Sequence, residues 1–290
     1  MFEGFESMRI ETDGTRINLL KSGDGPPLLL LHGYPQTHVM WHKIASRLAE
    51  NFTIVVPDLR GYGDSAKPPG GDNHEGYSKR AMALDQVQVM DKLGFETFFV
   101  AGHDRGGRVT HRMALDHPGK VLKASVLDIV PTHKLFTTVN QEVASGYYHW
   151  FFLIQPGGLP EHLIGSDPEF YLRRKMGHWS AGNDGFTDEA MAEYIRCFSM
   201  PETIHASCED YRAAASIDME HDEADINEAV QCPLLVLWGG SGLMEKSYDV
   251  LGTWRERASN VMGHSIDCGH FLAEEKPDET YKALLDFFKV

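Results

Sequence analysis

Short apolar runs alternate with longer amphipathic stretches over much of the chain. Leu28–Leu31, Phe52–Val56, Phe98–Ala101, Val121–Leu127, Leu234–Trp238 and Val261–Ile266 read as strands, most of them apolar on both faces, as in a buried parallel sheet. Residues 5–22 add two short strands around the turn Thr12-Asp13-Gly14. Helices are predicted over Trp41–Glu50 and from about Gly76 to Leu93, where Met82, Val89, Met90 and Leu93 recur at helical spacing. Another holds Arg108, Val109, Arg112, Met113 and Leu115 and closes at His117-Pro118-Gly119. Two more fall around Ser247–Arg257 and over Pro277–Phe288. Strand and helix alternating in this way predict an α/β fold with a mostly parallel, doubly covered sheet. From Pro131 to about Asn227 the pattern changes to helical segments rich in aromatics and turns, without a strand. The expected organisation is a core of residues 1–130 and 228–290, with a helical lid, 131–227, inserted after the sixth core strand.

One stretch changes this picture from fold to chemistry. The strand Phe98–Ala101 stops at Gly102, and a helix follows at once. Between them, Gly102-His103-Asp104-Arg105-Gly106 matches G-x-S-x-G with Asp in the serine position. Glycines around a tight strand-to-helix turn let the central residue be held strained and exposed over the sheet, which is the nucleophile elbow of α/β-hydrolases. Alone, Asp104 reads better as a helix N-cap. The other parts of a hydrolytic site also stand in the expected order, and they favour the nucleophile.

His32-Gly33-Tyr34-Pro35 follows the Leu28–Leu31 strand, where such enzymes take one oxyanion-hole amide. The backbone N–H groups of Tyr34 and Arg105 are the expected pair. His32 and His38 read as structural. The base falls on His270, in Gly269-His270-Phe271 after the last core strand; His264 competes but lies inside the strand pattern. The orienting acid is Asp128, at the end of the sixth strand, because the loop after the seventh offers only Glu245, read as a solvated charge. Asp58-Leu59-Arg60-Gly61-Tyr62-Gly63-Asp64-Ser65 reads as loop packing.

A carboxylate nucleophile restricts the reaction. Attack on an acyl carbon would give a mixed anhydride, whereas attack on a saturated carbon bearing a leaving group gives an alkyl ester that water can hydrolyse. Arg105 and Arg108, three apart in the first turn after Asp104, suit a substrate carboxylate held by charge-assisted hydrogen bonds. The competing arrangement pairs Arg108 with Asp104 and leaves Arg105 in solvent.

Composition sets limits. With 290 residues, 42% hydrophobic and 24% charged, the chain is globular and long enough for a large core. A formal net charge of −15 argues against nucleic acid and against long-range steering of an anion, so local cations must attract it. No apolar leader opens the chain, and no run approaches the roughly 18 residues of a membrane span. Four scattered cysteines without C-x-x-C spacing suit reduced thiols in a cytoplasm and supply no zinc site. The expected ligand is a small anionic substrate, without cofactor, metal, nucleic acid or membrane; a homodimer is an assembly the sequence allows.

The run GHDRGGRVTHRMALDHP, with VLDIVP, YYHWFFLIQP, CEDYRAAASID, GGSGLM and CGHF, resembles fluoroacetate (haloacetate) dehalogenases over nearly the whole chain. The resemblance implies an Asp104 that displaces halide from the α-carbon and two arginines that hold the carboxylate. It also assigns the leaving halide to His149, Trp150 and Tyr211. Three neutral N–H and O–H donors suit the concentrated charge of departing fluoride; without the resemblance these are lid-packing residues. Trp179 is a further candidate for the pocket wall. Haloalkane dehalogenases place Trp where Arg105 stands here, and epoxide hydrolases use two lid tyrosines. A non-catalytic receptor on the same fold needs no intact Asp104, Asp128 and His270.

Overall fold

A computed structural model describes residues 1–182 and 185–289. Eight strands form one sheet: β1 (Glu6–Glu11), β2 (Arg16–Ser22), β3 (Pro27–Leu31), β4 (Thr53–Pro57), β5 (Phe98–His103), β6 (Val121–Leu127), β7 (Leu234–Gly239) and β8 (Val261–Ile266). Their order is β1-β2-β4-β3-β5-β6-β7-β8. The β1–β2 and β2–β4 pairs are antiparallel, and the pairs from β4 to β8 are parallel. The four-leucine run illustrates why such strands need no polar face. Leu29 and Leu31 pack with Val100 and Val109 on one side, Leu28 and Leu30 with Trp41 and Phe99 on the other.

Helices α1 (Ala45–Leu48), α2 (Lys79–Lys92) and α3 (Arg105–Asp116) connect the first strands. Between β6 and β7 come α4 (Thr132–Thr137), α5 (Gln141–Gly146), α6 (His149–Phe152), α7 (Leu159–Ser166), α8 (Pro168–Trp179), α9 (Asp188–Phe198), α10 (Pro201–Ala215) and α11 (Ile217–Ala224). No strand falls in this stretch among the described residues, as its sequence pattern predicts; residues 183–184 and 290 of the expected segments lie outside them. The chain ends with α12 (Leu243–Ser247), α13 (Val250–Arg255), α14 (Leu272–Glu275) and α15 (Pro277–Phe288).

Three helix boundaries depart from periodicity, each through local capping. The helix predicted over Trp41–Glu50 is a short 3-10 turn, His38–Trp41, followed by α1; Thr37 accepts the Val39 N–H and starts the turn early. The one predicted around Ser247–Arg257 divides at Tyr248-Asp249, where extended Asp249 caps α13 through the Gly252 N–H. Ser78 caps α2 through the Ala81 N–H, so that helix opens later than Gly76.

β3 lies between β4 and β5, so the strand order reverses there and the carboxyl ends of β3 and β5 flank a crevice. The β3 end supplies Tyr34 and the β5 end Asp104. The Asp58–Ser65 segment packs nearby as expected: the Asp58 carboxylate accepts from Asn18 Nδ2, the His38 N–H and the Asp64 N–H. His38 Nδ1 lies 2.8 Å from the same carboxylate, and His32 Nε2 accepts the Leu59 N–H. Both histidines are structural.

Candidate active site

Asp104 stands between β5 and α3 with φ of 47° and ψ of −113°, a backbone conformation that non-glycine residues rarely adopt. Close approach on both sides enforces it. A Cβ on Gly102 would lie 2.3 Å from the Gly106 carbonyl oxygen, and one on Gly106 would lie 2.4 Å from that of His32. The strain places the Asp104 carboxylate over the sheet instead of in an N-cap; it makes no capping bond to α3. Its Oδ1 accepts the Tyr34 N–H at 2.8 Å. Its Oδ2 lies 3.9 Å from His270 Nε2.

His270 Nδ1 is 2.6 Å from Asp128 Oδ2, and Asp128 Oδ1 accepts the Gly239 N–H at 2.9 Å. Asp128 itself has φ of 53°, a second strained aspartate at a strand end. A proton on Nδ1, toward Asp128, leaves the Nε2 lone pair facing Asp104 beyond hydrogen-bond distance. The His270 N–H donates to the Trp179 carbonyl at 2.9 Å, so the segment between β6 and β7 also fixes the imidazole loop. Burial lowers the His270 pKa, but the hydrogen bond and charge of Asp128, with Asp104, outweigh it and raise the ring above its ordinary value. Burial raises Asp104, yet His270, Arg105 and Arg108 together hold its carboxyl below the usual range. His103, buried behind His270, is pushed down to about 3 by burial and by His270, and is therefore neutral. A cavity of ≈ 360 Å³ lined by Asp128, Tyr147, Trp179, Ser241, Gly242 and His270 reaches the base.

The arginines go against the competing arrangement. Arg105 is fully buried rather than solvated, and Arg108 forms no ion pair with Asp104 among the described contacts. Arg105 is not wholly free, however. Its Nε and Nη2 donate to the two Asp210 carboxylate oxygens at 2.9 and 2.7 Å, leaving Nη1 without a partner among the described residues. Arg108 gives Nη1 to the Val130 carbonyl at 2.7 Å, and its Nε and Nη2 are unpartnered among the described residues. Burial and the Arg105 charge push Arg108 down to about 10, so it remains a cation at neutral pH.

The three residues expected to receive halide do converge. Tyr211 lies with its ring 5.3 Å from Trp150 and 5.4 Å from His149, centroid to centroid. The Arg105 guanidinium carbon sits 4.2 Å from the Tyr211 ring centre, and that of Arg108 4.4 Å from Trp150. Tyr211 OH, Trp150 Nε1 and His149 Nδ1 are all buried without a hydrogen-bond partner among the described residues. Buried donors are rarely left so, and a cluster of them around two cations marks a place for an anion. Trp179 joins the same wall, 4.6 Å from His149.

Asp210 was visible in the sequence only as the residue before Tyr211. It accepts from Arg105 and from Tyr62 OH at 2.6 Å, and pairs with Lys79. Those cations hold its carboxyl far below the ordinary range against the effect of burial. Asp210→Asn would leave Arg105 and Lys79 buried with half their counter-charge. The expected loss is about 3–5 kcal/mol in a urea unfolding titration; an unchanged midpoint would mean that the network does not support the fold. Glu245 is exposed, as expected of a solvated charge, and it also accepts the Trp238 indole N–H.

An alpha/beta hydrolase fold model matches residues 26–277. A fluoroacetate dehalogenase from Burkholderia sp is 47% identical over 99% of this chain and 95% of its own length. A soluble epoxide hydrolase from Corynebacterium sp. (strain C12) is 36% identical over 95% and 94%. A solved structure from Nostoc sp PCC 7120 is 61% identical, with a TM-score of 0.99 over 100% of this chain and 99% of that one. These likenesses run the length of the chain and take in the strained turn on which Asp104 stands, so the protein belongs to the alpha/beta hydrolase fold family.

Proposed function

We propose that the protein hydrolyses haloacetates to glycolate and halide through an ester on Asp104. The observation that carries this reading is the ring of unpartnered buried donors beside a buried carboxylate: Arg105 Nη1, Arg108 Nε and Nη2, Tyr211 OH, Trp150 Nε1 and His149 Nδ1. The arginine N–H groups suit the substrate carboxylate and the three neutral donors suit the departing halide. Helices α4–α11 act as the lid that carries those donors.

Asp104 Oδ2 attacks the α-carbon, and the halide leaves with the bonding pair. Oδ1, held by the Tyr34 N–H, becomes the ester carbonyl. Water then attacks this carbonyl carbon while His270 Nε2 takes its proton. The oxyanion forms on Oδ1, already hydrogen-bonded to Tyr34, with the Arg105 amide as the second expected donor. Collapse returns the proton from His270 to the glycolate oxygen and regenerates Asp104, one proton passing to solvent. Asp128 keeps the imidazole in the tautomer that accepts. The direct test is halide release from fluoroacetate, chloroacetate and a 1-haloalkane. Release confined to the haloacetates is expected, and turnover of the haloalkane alone would refute the reading.

Arg108→Gln removes two charge-assisted bonds and keeps a polar group near Val130. Its kcat/KM on chloroacetate is expected to fall about 10²–10³-fold, and on a neutral haloalkane far less. Equal losses in steady-state assays would remove the carboxylate clamp.

The pH profile should separate the two steps. Alkylation needs ionised Asp104, whose pKa is lowered, so it persists below the ordinary carboxylate value of 3.8. Hydrolysis needs neutral His270; its pKa is raised above 6.5, so the base is lost as pH falls through that higher value. In the ester Asp104 is uncharged, while Asp128, and more weakly Glu275, still favour the protonated ring. With chloroacetate, kcat is therefore expected to lose its activity at a higher pH than kcat/KM, which reports the irreversible alkylation. A single shared acid limb would contradict this division.

A further inference from the structure

We infer that the same site also opens small α,β-epoxy carboxylates, glycidate being the smallest, to the corresponding dihydroxy acids; this rests on the dehalogenase reading of Asp104, the arginines and the donor cluster. In glycidate the carboxylate, the α-carbon and the leaving atom stand in the same relation as in a haloacetate. The extra methylene joins the α-carbon to the leaving oxygen, so it adds width only beside the bond that breaks. The unpartnered N–H groups of Arg105 and Arg108 meet its carboxylate, and Asp104 Oδ2 meets its α-carbon opposite the ring oxygen.

What the leaving group needs is different. A halide departs as a stable anion, and hydrogen bonds suffice. The ring oxygen departs as an alkoxide tethered to the β-carbon and must take a proton. Among the three donors that face this position, Trp150 Nε1 cannot give one up at any ordinary pH. Burial and nearby cations, Lys175 first among them, push the His149 imidazole well below its usual value, so it is neutral and no imidazolium is present to donate. Tyr211 OH remains. It is buried and without a partner among the described residues, and the Arg105 guanidinium, 4.2 Å from the ring centre, stabilises the phenolate left behind. The step also helps itself. After burial, the Asp104 charge is the largest influence holding the Tyr211 proton on, and ester formation removes that charge. The proton is thus released as the alkoxide appears.

The atoms balance without a further reactant. Asp104 forms the bond to the α-carbon as the α-carbon–oxygen bond breaks, and the ring oxygen takes the Tyr211 proton to become the β-hydroxyl. Water adds to the Asp104 ester carbonyl, giving its proton to His270, which passes it to the departing α-oxygen. The Asp104 carboxylic acid so formed returns its proton to the Tyr211 phenolate. The sum is glycidate plus water to glycerate, with no net proton released, whereas each haloacetate turnover releases one.

The experiment offers the purified full-length enzyme chloroacetate, 2-chloropropionate as a probe of equal width, and glycidate, with products read by NMR and protons by pH-stat. Glycerate formation without acid release is expected, lost in Asp104→Asn. In Tyr211→Phe, glycidate turnover should fall about 10²-fold more than that of chloroacetate, since the epoxide loses both a hydrogen bond and a proton donor. Chloroacetate turnover with no glycerate would overturn this inference and leave the dehalogenase reading standing, whether or not 2-chloropropionate reacts. Equal losses in Tyr211→Phe would overturn the role of Tyr211. Glycerate without any haloacetate turnover would instead refute the dehalogenase reading.

Discussion

Asp104→Asn is expected to lower haloacetate turnover by about 10⁶-fold, close to the effect of removing a nucleophile that works as part of a catalytic unit. An amide oxygen carries no formal charge, so it neither attacks a saturated carbon at a useful rate nor expels fluoride. The fold should survive. Asn tolerates positive φ better than most residues, and its carbonyl can still accept the Tyr34 N–H that Oδ1 now takes at 2.8 Å. Relief of a buried carboxylate offsets the loss of its attraction to Arg105 and Arg108. A circular-dichroism melt should therefore match the parent closely while halide release disappears. Substantial halide release from the folded variant would show that another group attacks.

His270→Asn should behave differently, because only the second step needs a base. One halide per active site is expected, followed by arrest, with turnover down about 10⁴-fold. Intact-protein mass spectrometry should then find a carboxymethyl group, and peptide mapping should place it on Asp104. The first step survives because Arg105 and Arg108 still favour the ionised form of Asp104 when His270 is gone. The cost falls on stability, since Asp128 loses the partner now 2.6 Å away and keeps only the Gly239 N–H of its two described bonds. About 1–3 kcal/mol is expected for a buried acceptor left short in this way. A variant that releases no halide at all, with no adduct, would place His270 in the alkylation step.

The inner strands were readable because they are short apolar runs, which only a doubly covered parallel sheet buries. Val121–Leu127 and Val261–Ile266 fall where their sequences predict. Helix ends were less readable, since they depend on which polar side chain wins a cap: Asp249 divides a stretch that periodicity runs together. The strand-end residues Asp104, Asp128 and His270 followed from chain order, because each must leave a defined strand at the same edge. Asp210 did not. Its hold on Arg105 joins residues 105 positions apart, and no local spacing announces such a pair. That contact changes the clamp from two free guanidiniums to one free edge of Arg105 beside a more open Arg108.

The central claim is that an Asp104 oxygen becomes bonded to the substrate carbon and leaves with the product. A single turnover of chloroacetate in heavy-oxygen water, with enzyme in excess, tests it most directly. The account predicts glycolate whose new hydroxyl carries ordinary oxygen, and heavy oxygen in the Asp104 peptide. Heavy oxygen in that first glycolate, with none in the peptide, would mean that water attacks the carbon itself, and would contradict the account.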